Sequence, residues 1–303
     1  MANITAAMVK ELREKTDAGM MDCKKALVAT DGNFEEAVTW LREKGLAKAA
    51  KKAGVVAAEG LCSYVVSGNK CVLFELNSQT DFVAQNAKFV ALLEEVGNAI
   101  VASNATNTEE ALAVDVDGKT LETLIMGASG TIGEKISLRR VQVLTKTDAQ
   151  VFGAYKHMGG RIVTVVVLNG SDAVVAKDVA MHVAALSPKY VSKEDIPADV
   201  VAKEREVILA AALNENATAA KPKPEKIVEE RIVPGRLEKN LKEICLLSQA
   251  FVKNPDQTVE AYVKGAKSEV VTFVRLEVGE GIEKVETDFA AEVAAQAAQA
   301  AKN

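Results

Sequence analysis

Residues 70–84, KCVLFELNSQTDFVA, and residues 161–175, RIVTVVVLNGSDAVV, decide the fold. Each is a strand-length apolar run that gives way to a polar cluster, an acidic residue and the start of a helix. The likeness extends outward. With residues 59–94 laid on the segment 91 positions later, Tyr64 falls on Tyr155, Gly68 on Gly159, Lys70 on Arg161, Val72 on Val163 and Phe74 on Val165. Thr80 then falls on Ser171, Asp81 on Asp172, Phe82 on Ala173 and Val83 on Val174. Such self-similarity implies two copies of one unit: an alternating strand, a tight turn containing Gly68 or Gly159, a more apolar strand, and a helix. Thr80 and Ser171 are expected to cap their helices, with a carboxylate beside the positive helix end. Phe82 has no counterpart of its size. A large aromatic on the opening turn either folds back onto the sheet or protrudes as a wedge for another protein, where its burial supplies roughly 1.5–3 kcal/mol.

Upstream, three short helices are predicted. The first covers residues 5–15, with Met8, Val9 and Leu12 at helical spacing; the second covers residues 22–29, with Cys23, Ala26 and Leu27 on one side. The third starts at a capping box of Asn33 and Glu36, carries Phe34, Ala37, Val38 and Leu41, and stops at Gly45. Met20 and Met21 are adjacent, so the core needs only one of them and the other suits a partner surface. Residues 44–52, with Lys44, Lys48, Lys51 and Lys52, read as a solvated helical linker; no aromatic interleaves these lysines to suggest nucleic-acid binding.

Composition limits the function classes. The 303 residues suit two or three compact units, and 49% hydrophobic with 26% charged residues fits a folded globular chain. A net charge of −5 gives no global positive field for nucleic acid. No apolar run approaches the roughly 20 residues of a membrane helix. Cys23, Cys62, Cys71 and Cys245 form no Cys-x-x-Cys pair and read as buried small hydrophobes, and the start MANIT lacks a basic and apolar leader, so a reducing cytoplasm is expected. His157 and His182 have no ligand partner at metal spacing. No cofactor is called for. Gly127, Gly130 and Gly133 do not form a phosphate loop, because Glu134 separates Gly133 from Lys135 and no Ser or Thr follows. Arg139 and Arg140 open a strand and read as a solvated or salt-bridged edge.

All six prolines lie beyond residue 187. Helices at residues 198–213 and from residue 225 form a helical hairpin arm with intermixed charges, either solvated or a dimer contact. Residues 241–251 and 259–263 are further apolar segments, residues 270–278 alternate as a strand, and residues 287–302, with Phe289 and Val293, predict a terminal helix.

The blocks at residues 9–27 (VKELREKTDAGMMDCKKAL), 77–84 (NSQTDFVA), 132–136 (IGEKI), 181–185 (MHVAA), 241–247 (LKEICLL) and 275–289 together resemble the elongation factor Ts family, over essentially the whole chain. Members are guanine-nucleotide exchange factors for elongation factor Tu and perform no covalent chemistry. The resemblance implies an α+β fold: a ubiquitin-associated-like bundle at residues 1–54, a core N-subdomain at 55–148, and a core C-subdomain at 149–190 and 236–276. It adds a coiled-coil arm at 191–235 and a C-terminal module at 277–303. It implies that Thr80, Asp81, Phe82 and Val83 disturb the partner's magnesium site, with Asp81 and Phe82 at the tip. Val9, Leu12, Met20 and Met21 are implied for the grip of the bundle, and His157 for a core contact. No membrane and no direct nucleic acid is implied, and a dimer of heterodimers stays open beside a 1:1 complex. Pro234 departs from the family pattern, since proline removes an amide donor where the returning arm helix would continue.

Two other classes compete: an adaptor using the bundle alone, and an enzyme using Asp81, Glu75 or His157 in a cleft. The first leaves most of the chain idle. The second lacks a convergent nucleophile, base and orienting group.

Overall fold

A computed structural model describes residues 4–16, 18–52 and 54–283. The expected helix at residues 287–302, with Phe289 and Val293, lies outside the described residues, as does the 277–303 module beyond residue 283.

Helices α1 (Ala6–Thr16), α2 (Met20–Ala29) and α3 (Phe34–Lys51) form the N-terminal bundle, closed over Leu12, Cys23, Ala26, Leu27 and Ala37. Asn33 caps α3: its Oδ1 accepts from the amides of Glu35 and Glu36, and its Nδ2 donates to Glu36 Oε1 at 2.8 Å. The helix does not stop at Gly45. It continues to Lys51 because Gly45 crosses a later helix at close quarters, and that docking outweighs the roughly 1 kcal/mol a mid-helix glycine costs. Residues 44–52 are therefore a docked helix end rather than a solvated linker: Lys44 lies over the Trp40 ring and Lys48 pairs with Asp22 at 2.7 Å.

The first core unit contains β1 (Glu59–Ser67), β2 (Lys70–Ser78), α4 (Asp81–Ala84) and α5 (Ala87–Ala102). It continues through α6 (Thr108–Leu112), the short pair β3 (Asp115–Val116) and β4 (Lys119–Thr120), α7 (Leu121–Ile132) and β5 (Ser137–Thr145). The second contains β6 (Gln150–His157), β7 (Ile162–Asn169), α8 (Ala173–Leu186), the short pair β8 (Ala250–Phe251) and β9 (Asn254–Thr258), α12 (Val259–Gly265) and β10 (Glu269–Glu277). Each builds an antiparallel sheet with the apolar strand in the middle, β1-β2-β5 and β10-β7-β6. The fold is α+β.

The two sheets face one another across a core of Cys62, Cys71, Leu73, Val163, Val165, Leu276 and Val278. Helices cover the outer faces, α5 and α7 over Val72, Phe74 and Leu76, and α8 and α12 over Val166 and Leu168. Both faces of β2 and β7 are thus buried, which explains their continuous apolar runs. All four cysteines are buried.

The constant repeat offset does not survive. Ser67 pairs with Lys70 across the first turn, but His157 pairs with Ile162 across the second, so the second turn holds two more residues. Equivalence runs at 90 positions before the turn and 92 after it. A one-residue error moves every strand side chain to the opposite face. Tyr64 indeed joins the inter-sheet core while Tyr155 joins the helix side. At the corrected offset Leu76 matches Leu168, Asn77 matches Asn169, Val83 matches Val175 and Ala84 matches Ala176. Thr80 corresponds to Asp172, which caps α8 in place of Ser171 by accepting from the amides of Val174 and Val175. Phe82 corresponds to Val174, not Ala173.

The arm, inserted after α8, pairs α9 (Ala198–Ala217) with α10 (Glu225–Ile227), a π-turn at Val228–Ile232, and α11 (Val233–Ile244). Pro234 does not end the returning helix. The π-turn immediately before it lets the Val233 amide bond the Val228 carbonyl five residues back, widening the coil where the proline ring would otherwise meet a carbonyl. Ile208, Ala212, Val228 and Val233 give the arm a small core of its own. Among the described residues no helix is long and apolar enough to cross a membrane.

Candidate functional site

Strand β2 delivers the chain directly to the site. Ser78 Oγ donates to the Thr80 carbonyl at 2.8 Å and turns the strand end. Thr80 then caps α4, its Oγ1 accepting from Val83 N at 3.4 Å. One turn later the helix breaks at Gln85, and Asn86 caps α5 by accepting from Lys88 N. Val83 packs on the helix-side core and Ala84 is buried in it. Asp81 and Phe82 therefore stand on the outer side of a single turn, and Phe82 is 82% exposed. An apolar side chain that open contributes almost nothing to its own fold. Beside it, a groove is lined by Glu59, Gln79, Thr80, Asp81, Phe82 and Arg161, with Arg161 paired to Glu59 at 3.0 Å.

The tip is held from a distance in sequence. The Thr80 amide donates to Glu134 Oε2 at 3.0 Å and its hydroxyl donates to Oε1 at 2.8 Å. The Lys135 amide donates to Gln79 Oε1 at 3.2 Å. Glu134 follows Gly133, which closes α7 in the left-handed conformation at φ 89°. Two of the spaced glycines thus have structural work: Gly133 turns the chain, and Gly130 lets α3 approach α7, since a Cβ there would lie 2.5 Å from the Gly45 carbonyl oxygen. In sequence Glu134 stood out only within a family block and as the residue that breaks a phosphate-loop pattern; the helix-ending glycine before it was the local signal that it begins a turn.

The remaining expected residues are spread over the molecule. Met20 and Met21 are both exposed, as is Val28, so neither methionine enters the bundle core. Leu12 has no exposed surface and Val9 almost none. Both belong to the bundle interior, because their helical spacing turns them onto α2 and α3. His157 is exposed at the end of β6, with Tyr155 Oη 3.2 Å from its Nδ1, next to the exposed Met158. His182 is elsewhere and buried. Its Nε2 meets Gln249 Oε1 at 2.9 Å, and its Nδ1 accepts from Val252 N at 3.1 Å. Burial pushes its pKa below the ordinary histidine value, against the Gln249 hydrogen bond, which raises it.

Glu75 is not free for proton transfer. It has no exposed side-chain surface and accepts from Arg139 Nη1 at 3.0 Å, Arg140 Nε at 2.5 Å, Asn77 Nδ2 at 2.8 Å and the Gly279 amide at 2.8 Å. Burial pushes its carboxyl up, but the Gly279 amide, Asn77 and Arg140 together hold it below the usual carboxylate range. Arg139 also donates to the Glu280 carbonyl and Arg140 to the Glu277 carbonyl and the Glu280 carboxylate. The cluster ties β2 and β5 of one sheet to the end of β10 in the other.

The described surface therefore offers an exposed aromatic tip, an exposed methionine pair and an exposed histidine corner, a pattern suited to gripping another protein. The family model described as Elongation factor TS matches residues 79–280. The chain belongs to the elongation factor Ts family. A relative named Elongation factor Ts, from Acholeplasma laidlawii (strain PG-8A), is 56% identical over 294 residues, covering 97% of this chain and 98% of the relative. Membership places the chain among factors of translation elongation and outside the enzymes of covalent chemistry.

Proposed function

We propose that this chain promotes GDP release from elongation factor Tu by inserting Asp81 and Phe82 beside the nucleotide and magnesium site of that GTPase. Family membership supports the exchange of nucleotide on elongation factor Tu as the reaction. The observation that carries the mechanism is Phe82 itself, a ring standing 82% exposed on an anchored turn. Its entry shifts the backbone that cradles phosphate and displaces the magnesium ion, so GDP loses cation neutralisation and amide contacts together. Met20 and Met21 grip the partner from the bundle, with Val9 and Leu12 holding that surface from within, and His157 makes a separate contact from the β6 end.

Coupling between two ligands is reciprocal, so a factor that weakens nucleotide binding is weakened equally by nucleotide. GTP entry then ejects the factor and completes the cycle. Release of fluorescent GDP from elongation factor Tu tests the reading: Phe82→Ala is expected to slow it while the fold is kept. Release as fast as with the unmodified chain refutes the wedge.

A further inference from the structure

We propose that Glu134 is a positioning residue for exchange, holding the tip at residues 80–83 by gripping Thr80 from the turn that follows α7. This rests on the reading that Phe82 acts on the partner. Helix α4 has only four residues, and one turn has no stability of its own, because the first helical hydrogen bond must fix several dihedrals. The Phe82 ring, being exposed, adds no packing, and the capping bond from Val83 N is long.

Glu134 supplies what is missing. Its two oxygens take the amide and the hydroxyl of the same residue, which fixes the direction as well as the place of Thr80. Hydrogen bonds to a carboxylate are also stronger than neutral ones. The turn is itself secured. Ser129 Oγ donates to the Glu134 carbonyl at 2.5 Å and accepts from Ile136 N at 3.4 Å. Lys52 Nζ donates to the Gly133 carbonyl, and Lys135 Nζ donates to the Val55 carbonyl at 2.9 Å. Lys52 and Val55 belong to the segment leaving the bundle. The tip and the bundle that presents Met20 and Met21 are thus fastened to one turn, which sets their spacing.

The experiment compares Glu134→Ala, Glu134→Gln, Phe82→Ala and the double variant Glu134→Ala with Phe82→Ala, all in the full chain, by release of fluorescent GDP from elongation factor Tu. Glu134→Ala is expected to lower the maximal release rate about tenfold or more, the scale of a small misplacement of a reacting group, with the half-saturating concentration unchanged. Glu134→Gln, which keeps one acceptor, falls between. The double variant is no slower than Phe82→Ala alone, because Glu134 works through the ring. Hydrogen exchange at the Thr80 amide rises in Glu134→Ala while β2 and α5 stay protected. Wild-type release by Glu134→Ala beside a slow Phe82→Ala, or additive slowing in the double variant, overturns the positioning role. If Phe82→Ala itself releases GDP normally, the wedge reading fails instead, and unchanged Thr80 exchange in Glu134→Ala then overturns the clamp.

Discussion

The same helix start is used twice and finished in two ways. In the second copy Asp172 caps a fourteen-residue helix, α8, with its own side chain, and the continuous hydrogen-bond ladder fixes the first turn. In the first copy the helix breaks after four residues, and its opening turn is held by Glu134 from another element. Val174 and Phe82 occupy the same position, and both are exposed, at 69% and 82%. Only one is aromatic and set on a turn anchored from outside. A duplicated scaffold thus yields an exposed tip by shortening a helix and bracing it, with the antiparallel order of the strands beneath kept.

Of the positions at which the strands beneath differ, one gives the largest expected effect. Glu75 corresponds to Val167; the first is ringed by arginines and the second is plain core. Glu75→Ala removes the shared acceptor of Arg139, Arg140, Asn77 and the Gly279 amide, leaving Arg140 only Glu280 as a charged partner, and should cost about 3–5 kcal/mol in urea unfolding. Val167→Ala should cost about 2 kcal/mol. Equal losses would dissolve the distinction between a charged clamp and an apolar filler.

At the tips the difference should appear in exchange and not in stability. Phe82→Ala is expected to slow GDP release about 10- to 100-fold, from the loss of about 1.5–3 kcal/mol of contact with the partner. Val174→Ala should leave release unchanged, and a comparable slowing there would make the two copies functional equals. The caps sharpen the comparison further. Asp172→Ala should lower stability by about 1 kcal/mol through the free amides of Val174 and Val175, measured by the urea midpoint, with exchange unaffected.

The smallest effect is a pH dependence confined to the second copy. His182 is held neutral by burial, so its folded pKa lies below the unfolded value near 6.5. The unfolded chain then binds the proton first. The stability owed to neutral His182 is complete above about pH 6.5 and declines as pH falls below it. Urea midpoints at pH 7.5 and 5.5 should differ in that direction, and His182→Asn should flatten the difference; a midpoint that rises on acidification contradicts the assignment.

Much of the site was legible in sequence. A bulky apolar residue just past a cap either folds back on the sheet or protrudes; spacing left both open for Phe82, and its exposure decides for the second. The repeat was legible too, but its phase was not. A gap of two residues in the turn hides easily in an ungapped comparison, yet it decides which face Tyr64, Phe74 and Val165 serve. The inward direction of Val9 and Leu12 could be read from helical spacing; the extent of their burial required the packed bundle.

What the sequence determined by itself lies within a few residues along the chain: the helix caps at Asn33 and Thr80, the hairpins, the strand periods and the family blocks. Tertiary structure alone decided the carboxylate that grips Thr80 from 54 residues away, the Glu75 cluster reaching Gly279 across 204, and the crossing of Gly45 with Gly130. It also decided the continuation of the arm helix past Pro234. Local hydrogen bonds and side-chain periodicity leave their mark in adjacent residues, whereas a long-range pairing depends on how two distant surfaces meet, and a glutamate reads the same in sequence whether it faces water or an amide.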